Sequence, residues 1–140
     1  MMLHEIAREL GLERLAPAAG AASGPTEREA APVTKAHASD LLSDVLANAP
    51  AGGLLLTIQV HMNVIAVSLH AGLAAVVFTS GMAPDEAVRA KAAEEGLPLF
   101  TTPQSTFDAA GRLYAMGLRG AGEGRANSGG ASDAPGGSRA

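Results

Sequence analysis

The chain has 140 residues, 47% of them hydrophobic but only 3% aromatic, with no cysteine and a formal net charge of −4. That length suits one domain with an alanine-rich core, and the missing thiols exclude disulfides and cysteinyl metal sites and fit a reducing cytoplasm. Basic residues are scattered among acidic ones, which excludes a nucleic-acid surface, and no apolar stretch reaches the roughly 20 residues of a membrane span.

Met1-Met2-Leu3-His4-Glu5 carries no basic segment ahead of an apolar core, so no secretory signal is expected. Leu3, Ile6, Ala7 and Leu10 fall at helical spacing and predict a short helix ended by Gly11. Leu12–Leu15 reads as a brief strand, residues 16–31 as a long mobile loop, and Ala31–Ala38 as extended chain. Ser39 then caps a helix, with Asp40 at its positive end and Leu41, Leu42, Val45 and Leu46 on its buried face. Pro50 and Gly52-Gly53 stop it.

Leu54–Ile58 predicts a buried strand. Val60–Leu69 is ambiguous by composition, because Val64-Ile65-Ala66-Val67 suits a strand after a hairpin loop at His61-Met62-Asn63. The position of Gly72 and the spacing from 54 to 78 favour a helix, apolar nearly all round and so covered on both sides. Ala74–Phe78 is the next strand. Pro84 lies in the first turn of a helix that runs to Glu95, and Leu97–Phe100 is the last strand. Thr106–Met116 is the last helix, with Phe107, Ala110, Leu113 and Tyr114 on one stripe. Arg119–Ala140 has no apolar residue larger than alanine and is expected to be a disordered tail, which leaves residues 1–118 as the domain.

Gly-Leu dipeptides recur at Gly11-Leu12, Gly53-Leu54, Gly72-Leu73, Gly96-Leu97 and Gly117-Leu118, each after a stretch that reads as helix. Glycine accepts the left-handed backbone that ends many helices, and the next apolar residue packs back on the last turn. The repeated helix, Gly-Leu, strand cadence predicts an α/β fold: a three-layer α/β/α domain with a mostly parallel central sheet.

In such sheets ligands bind outside the carboxyl ends of the strands. Those ends carry Thr57, Gln59, His61 and Asn63, then Thr79, Ser80 and Gly81, then Thr101 and Ser105. Hydroxyls, amides, one imidazole and helix N-termini suit a small anionic or polar ligand; the competing reading is that these residues only cap the following helices. His4, His37 and His70 have no ligand spacing with His61, so no metal site is expected. Asp40 and Asp44 share adjacent helical turns, which reads as a solvated first turn, with a divalent-ion site as the alternative. Thr79-Ser80-Gly81 is too short for a phosphate loop, and no catalytic triad is recognisable, so no enzymatic activity is expected.

Ser39-Asp40-Leu41-Leu42-Ser43-Asp44-Val45, Thr57-Ile58-Gln59-Val60-His61-Met62-Asn63 and Thr79-Ser80-Gly81-Met82-Ala83-Pro84-Asp85 resemble the DRTGG family. Glu95-Gly96-Leu97-Pro98-Leu99, Thr101-Thr102-Pro103 and Thr106-Phe107 complete the resemblance, which spans most of residues 1–118. It implies an α/β/α domain similar to the amino-terminal domain of HPr kinase/phosphorylase, of a kind also found beside CBS modules in regulated pyrophosphatases, where it looks regulatory. Stand-alone members occur near genes for iron hydrogenase and sensor kinases, which implies a signalling or redox protein as partner. The family's Asp-Arg would fall at Val60-His61, its Thr-Gly-Gly at Thr79-Ser80-Gly81, and its Asp before Thr106 at Ser105, so its motif is not intact here.

The expectation is therefore a cytoplasmic, non-catalytic regulatory or ligand-sensing module. It would form a homodimer through the apolar Val60–Leu69 helix and bind a small anionic, polar or nucleotide-like ligand. The alternative is a ligand-free scaffold in a signalling or iron-hydrogenase-linked redox system. The sequence identifies no cofactor.

Overall fold

The computed structural model describes residues 1–17 and 26–122. Its elements are α1 (Leu3–Leu10), β1 (Glu13–Ala16), a 3-10 turn (Glu27–Ala30), β2 (Ala36–Ala38), α2 (Leu42–Asn48) and β3 (Leu54–Thr57), then α3 (Asn63–Ala71), β4 (Ala75–Phe78), α4 (Glu86–Glu95), β5 (Leu99–Thr101) and α5 (Thr106–Ala115). The strands lie in the order β1-β5-β4-β3-β2, the last four parallel and β1 antiparallel on the β5 edge.

Successive strand residues point to opposite faces, and the central strands are apolar on both. Leu55, Val76, Phe78 and Leu99 pack against Val45 of α2, Val64 and Ile65 of α3, and Val88 and Ala92 of α4. Leu54, Leu56, Val77 and Phe100 pack against Leu3, Ile6 and Leu10 of α1 and Ala109 and Leu113 of α5. The fold is the expected three-layer α/β/α arrangement.

The Gly-Leu cadence acts as a set of helix stops. The amides of Leu12, Leu73, Leu97 and Leu118 donate to the carbonyls of Ala7, Ser68, Ala92 and Leu113, each five residues back, closing the loop that a left-handed glycine opens. Gly53 is the exception. α2 ends at Asn48, and Gly53 is buried at the mouth of β3, where a Cβ would lie 2.9 Å from the Pro50 carbonyl oxygen.

Several boundaries and faces differ from expectation. α2 starts at Leu42, with Leu41 in the extended cap position; Ser39 Oγ instead accepts the Leu41 amide at 3.2 Å. The later start leaves Val45 as the buried residue of α2, with Leu41 65% exposed and Leu46 also exposed. Pro84 precedes α4, whose cap is Asp85, accepting the Val88 amide. α5 turns Ala109 and Leu113 to the core and leaves Phe107 and Tyr114 out, so the expected stripe is only half buried. The 16–31 loop contains the 3-10 turn, held by Glu29, which accepts the Thr26 amide and pairs with Arg14 at 2.6 Å. Residues 18–25 of that loop lie outside the described residues.

α3 is helical, as expected, and neighbours both α2 and α4. Val64 and Ile65 are buried, and Val67 and Leu69 pack partly against the same core. Its apolar sides are thus covered within one chain, which removes the argument for a dimer through this helix. Arg119 pairs in parallel with Lys35: its carbonyl accepts the Ala36 amide at 2.9 Å and its amide donates to Thr34 at 3.1 Å. Pairing therefore runs past Leu118, while the tail expectation from residue 123 onward lies outside the described residues. No described helix is long and apolar enough to cross a membrane.

Candidate ligand site at the strand ends

The chain leaves β4 for α4 on one face of the sheet and leaves β5 for α5 on the other. Such a change of face opens a crevice at the carboxyl ends of the two strands. Here the two loops close it on themselves. The Ser80 amide donates to the Gln104 carbonyl at 2.7 Å and the Gly81 amide to the Thr102 carbonyl at 2.9 Å. Thr101 Oγ1 donates to the Met82 carbonyl at 2.7 Å, and the hydroxyls of Thr79 and Thr106 bond each other. The amides of Thr79, Ser80, Gly81 and Met82, which open the loop after β4, thus already have partners.

That loop is a tight turn. Met82 donates back to Thr79, and its two central residues are both left-handed, Ser80 at φ 56° and Gly81 at φ 73°. Two consecutive glycines accommodate such a turn, which gives a physical reason for the Gly-Gly half of the motif that Ser80-Gly81 occupies. Gln104, absent from the sequence-based candidates, is the hub beside it. Its side-chain nitrogen donates to the Leu10 carbonyl and Thr102 Oγ1, and its oxygen accepts from Arg112, which also reaches the Glu9 carbonyl. Its only signal in the sequence was its place among the polar residues after the last strand.

At the end of β3 a run of short-range side-chain bonds shapes the chain. Asp40 Oδ1 accepts both Thr57 Oγ1 at 3.1 Å and the Ile58 amide at 2.9 Å. Thr57 Oγ1 accepts the Gln59 amide, Gln59 Oε1 the His61 amide, and His61 Nδ1 the Asn63 amide at 3.0 Å. In neutral His61 the ring proton therefore sits on Nε2. His61, Asp85 and Ser105 serve the starts of α3, α4 and α5, each accepting a backbone amide there.

The nine candidates are divided accordingly. Thr57 and Thr79 are buried, Thr101 is half-buried, and Ser105 caps α5. Gln59 is half-buried, and His61, Asn63, Ser80 and Gly81 are exposed, as are the apolar side chains Ile58, Met62 and Met82. Asp40 and Asp44 serve different partners. Asp44 accepts from Asn48 and sits 2.8 Å from His37 Nε2, and its carboxyl is lowered from 3.8 to about 2 by the bonds from Asn48, His37 and Ser39. Among the described residues no group of three His, Cys, Asp or Glu could hold a metal ion.

No curated protein matches this chain. Among solved structures it is similar to the CBS and DRTGG domains of the regulatory region of Clostridium perfringens pyrophosphatase, complexed with its activator diadenosine tetraphosphate. The TM-score is 0.61 at 17% identity, over 84% of this chain and 47% of that one, so the likeness is one of fold and this chain spans about half the length of its neighbour. The DRTGG domain profile matches residues 27–116, from the 3-10 turn to the end of α5. By that match, over more than half of its length, the chain belongs to the DRTGG domain family.

Proposed function

We propose that this chain is a non-catalytic regulatory module that binds a small polar or nucleotide-like ligand at the carboxyl ends of β3 and β4. The observation that carries the reading is that exposed or half-exposed Gln59, His61, Asn63 and Ser80, with exposed Ile58, Met62 and Met82, all follow the paired ends of β3 and β4, where Thr57 lies opposite Phe78. Apolar side chains of this kind suit the flat face of a nucleobase, while an imidazole, two amides and a hydroxyl suit phosphate or ribose oxygens. Recognition in this reading rests mainly on side chains, because the amides of Thr79, Ser80, Gly81, Met82 and Asn63 already have partners. The nucleotide activator of the pyrophosphatase regulatory region supports the ligand class. A cytoplasmic setting belongs to the same reading, since a cysteine-free chain fits a reducing compartment.

Isothermal titration calorimetry with diadenosine tetraphosphate, adenine nucleotides and inorganic phosphate tests it. Binding tighter than about 1 mM is expected for a nucleotide, weakened about tenfold by His61→Asn, which keeps a side-chain acceptor for the Asn63 amide. No heat from any of the three up to millimolar concentration replaces this reading with the second one, a scaffold or partner protein of a signalling or redox system. Leu41, at the cap of α2, and Leu46, on it, favour that alternative, since both are large exposed apolar side chains of the kind that mark protein contacts.

A further inference from the structure

The outward face of α5 carries a glycine where a helix gains nothing from one. Gly111 lies mid-helix and exposed, and a Cβ added there would meet nothing within 4 Å. Neither a special backbone conformation nor crowding inside the chain requires it, although glycine weakens a helix. Beside it Phe107 is 86% exposed and Tyr114 61% exposed, a poor arrangement for a surface that only meets water. Gln104, Phe107, Asp108, Gly111, Arg112 and Ala115 line one concavity along this face.

At about 100° per residue, the buried Leu113 fixes the wheel. Phe107 and Tyr114 then fall along one edge of the outward face, Asp108 and Arg112 along the other, with Gly111 and Ala115 between them. We infer that this face binds a second copy of the chain, α5 against α5 in antiparallel, about a two-fold axis at Gly111. A two-fold axis across the helices sets like edge against like edge while reversing direction. Counted from Gly111, Phe107 stands four residues before and Tyr114 three after, so reversal brings Phe107 beside the partner's Tyr114. By the same count Asp108 comes within reach of the partner's Arg112. The knob and the hollow beside Gly111 belong to one helix, and the surface is self-complementary in shape and charge. A parallel pairing sets the aromatic edge on the charged edge and gains neither contact. The Asp108 carboxylate has no ion pair among the described residues, and Arg112 keeps donors beyond those it gives Gln104 and Glu9. Tyr114 holds Arg119 over one ring face, 3.7 Å from its centroid, which leaves the ring edge and the other face for the partner.

This dimer stands apart from the ligand reading, because α5's outward face contains none of Gln59, His61, Asn63 or Ser80. Sedimentation equilibrium on the full chain tests it. The wild type is expected to be a dimer at micromolar concentration, and Gly111→Leu to weaken it about tenfold or more by filling the hollow. The same variant is expected to melt no lower than the wild type under conditions where both are monomeric, since a Cβ at 111 meets nothing within 4 Å and leucine is a better helix former than glycine. Asp108→Arg weakens the dimer as well, and Arg112→Glu added to it recovers part of the loss. A wild type that stays monomeric to about 100 μM, or a dimer that Gly111→Leu leaves intact, overturns the inference.

Discussion

Ser80 occupies a backbone conformation that serine tolerates and glycine prefers, at φ 56°, and it is held there by bonds from both sides of the turn. A left-handed residue other than glycine carries a penalty of about 1 kcal/mol from its Cβ against its own backbone. Ser80→Gly is therefore expected to raise stability by up to about 1 kcal/mol, less the entropy that glycine adds to the unfolded chain. Urea denaturation checks it: the midpoint moves up with an unchanged slope, and a midpoint that falls removes the strain argument. His61 illustrates the same scale differently. Its Nδ1 holds the start of α3, which leaves Nε2 as the ring atom for any ligand.

Between elements, the pairing of β2 with α2 is fastened by one carboxylate. Asp44 on α2 receives Asn48 from its own next turn and meets His37 on β2, and these bonds hold its carboxyl near 2 against an ordinary 3.8. A carboxyl lowered in the folded state stabilises the fold above its unfolded value and loses that contribution as pH falls through the folded one. Stability from this group is therefore complete above about pH 4 and is lost between about pH 4 and pH 2. Asp44→Asn is expected to be less stable at neutral pH and to lack that part of the acid limb. Denaturant titrations of both proteins at pH 7, 4 and 2 check it, and parallel curves across that window contradict the assignment.

On the scale of the whole molecule, the chain closes by returning its last described segment to its first parallel strand. Arg119 sits on the outer edge of the chain at Lys35 and covers part of it, with its guanidinium over Tyr114. A chain ending at Leu118 loses two backbone bonds and this stacking contact, whereas one ending at Gly122 keeps them. Each net bond contributes about 0.5–1.5 kcal/mol, so the shorter chain is expected to melt several degrees lower than the longer one. Equal melting temperatures in calorimetry would show that this edge pairing contributes nothing.

What the sequence determined by itself was local. Four of the Gly-Leu dipeptides stop helices because the bond they make spans five residues, a distance the sequence displays directly. Runs such as Leu54-Leu55-Leu56 and Ala75-Val76-Val77-Phe78, apolar at both parities, required helices on both faces and so dictated three layers. The tertiary structure decided what depends on distant partners. Whether Thr79-Ser80-Gly81 is an open cradle or a sealed turn depended on Thr102 and Gln104, residues more than twenty positions away. Which side of α5 meets the sheet depended on how α1 and α5 share one face, and that choice put Phe107 outside. Local periodicity identifies an amphipathic stripe, but its edges are drawn by neighbours that the periodicity does not contain.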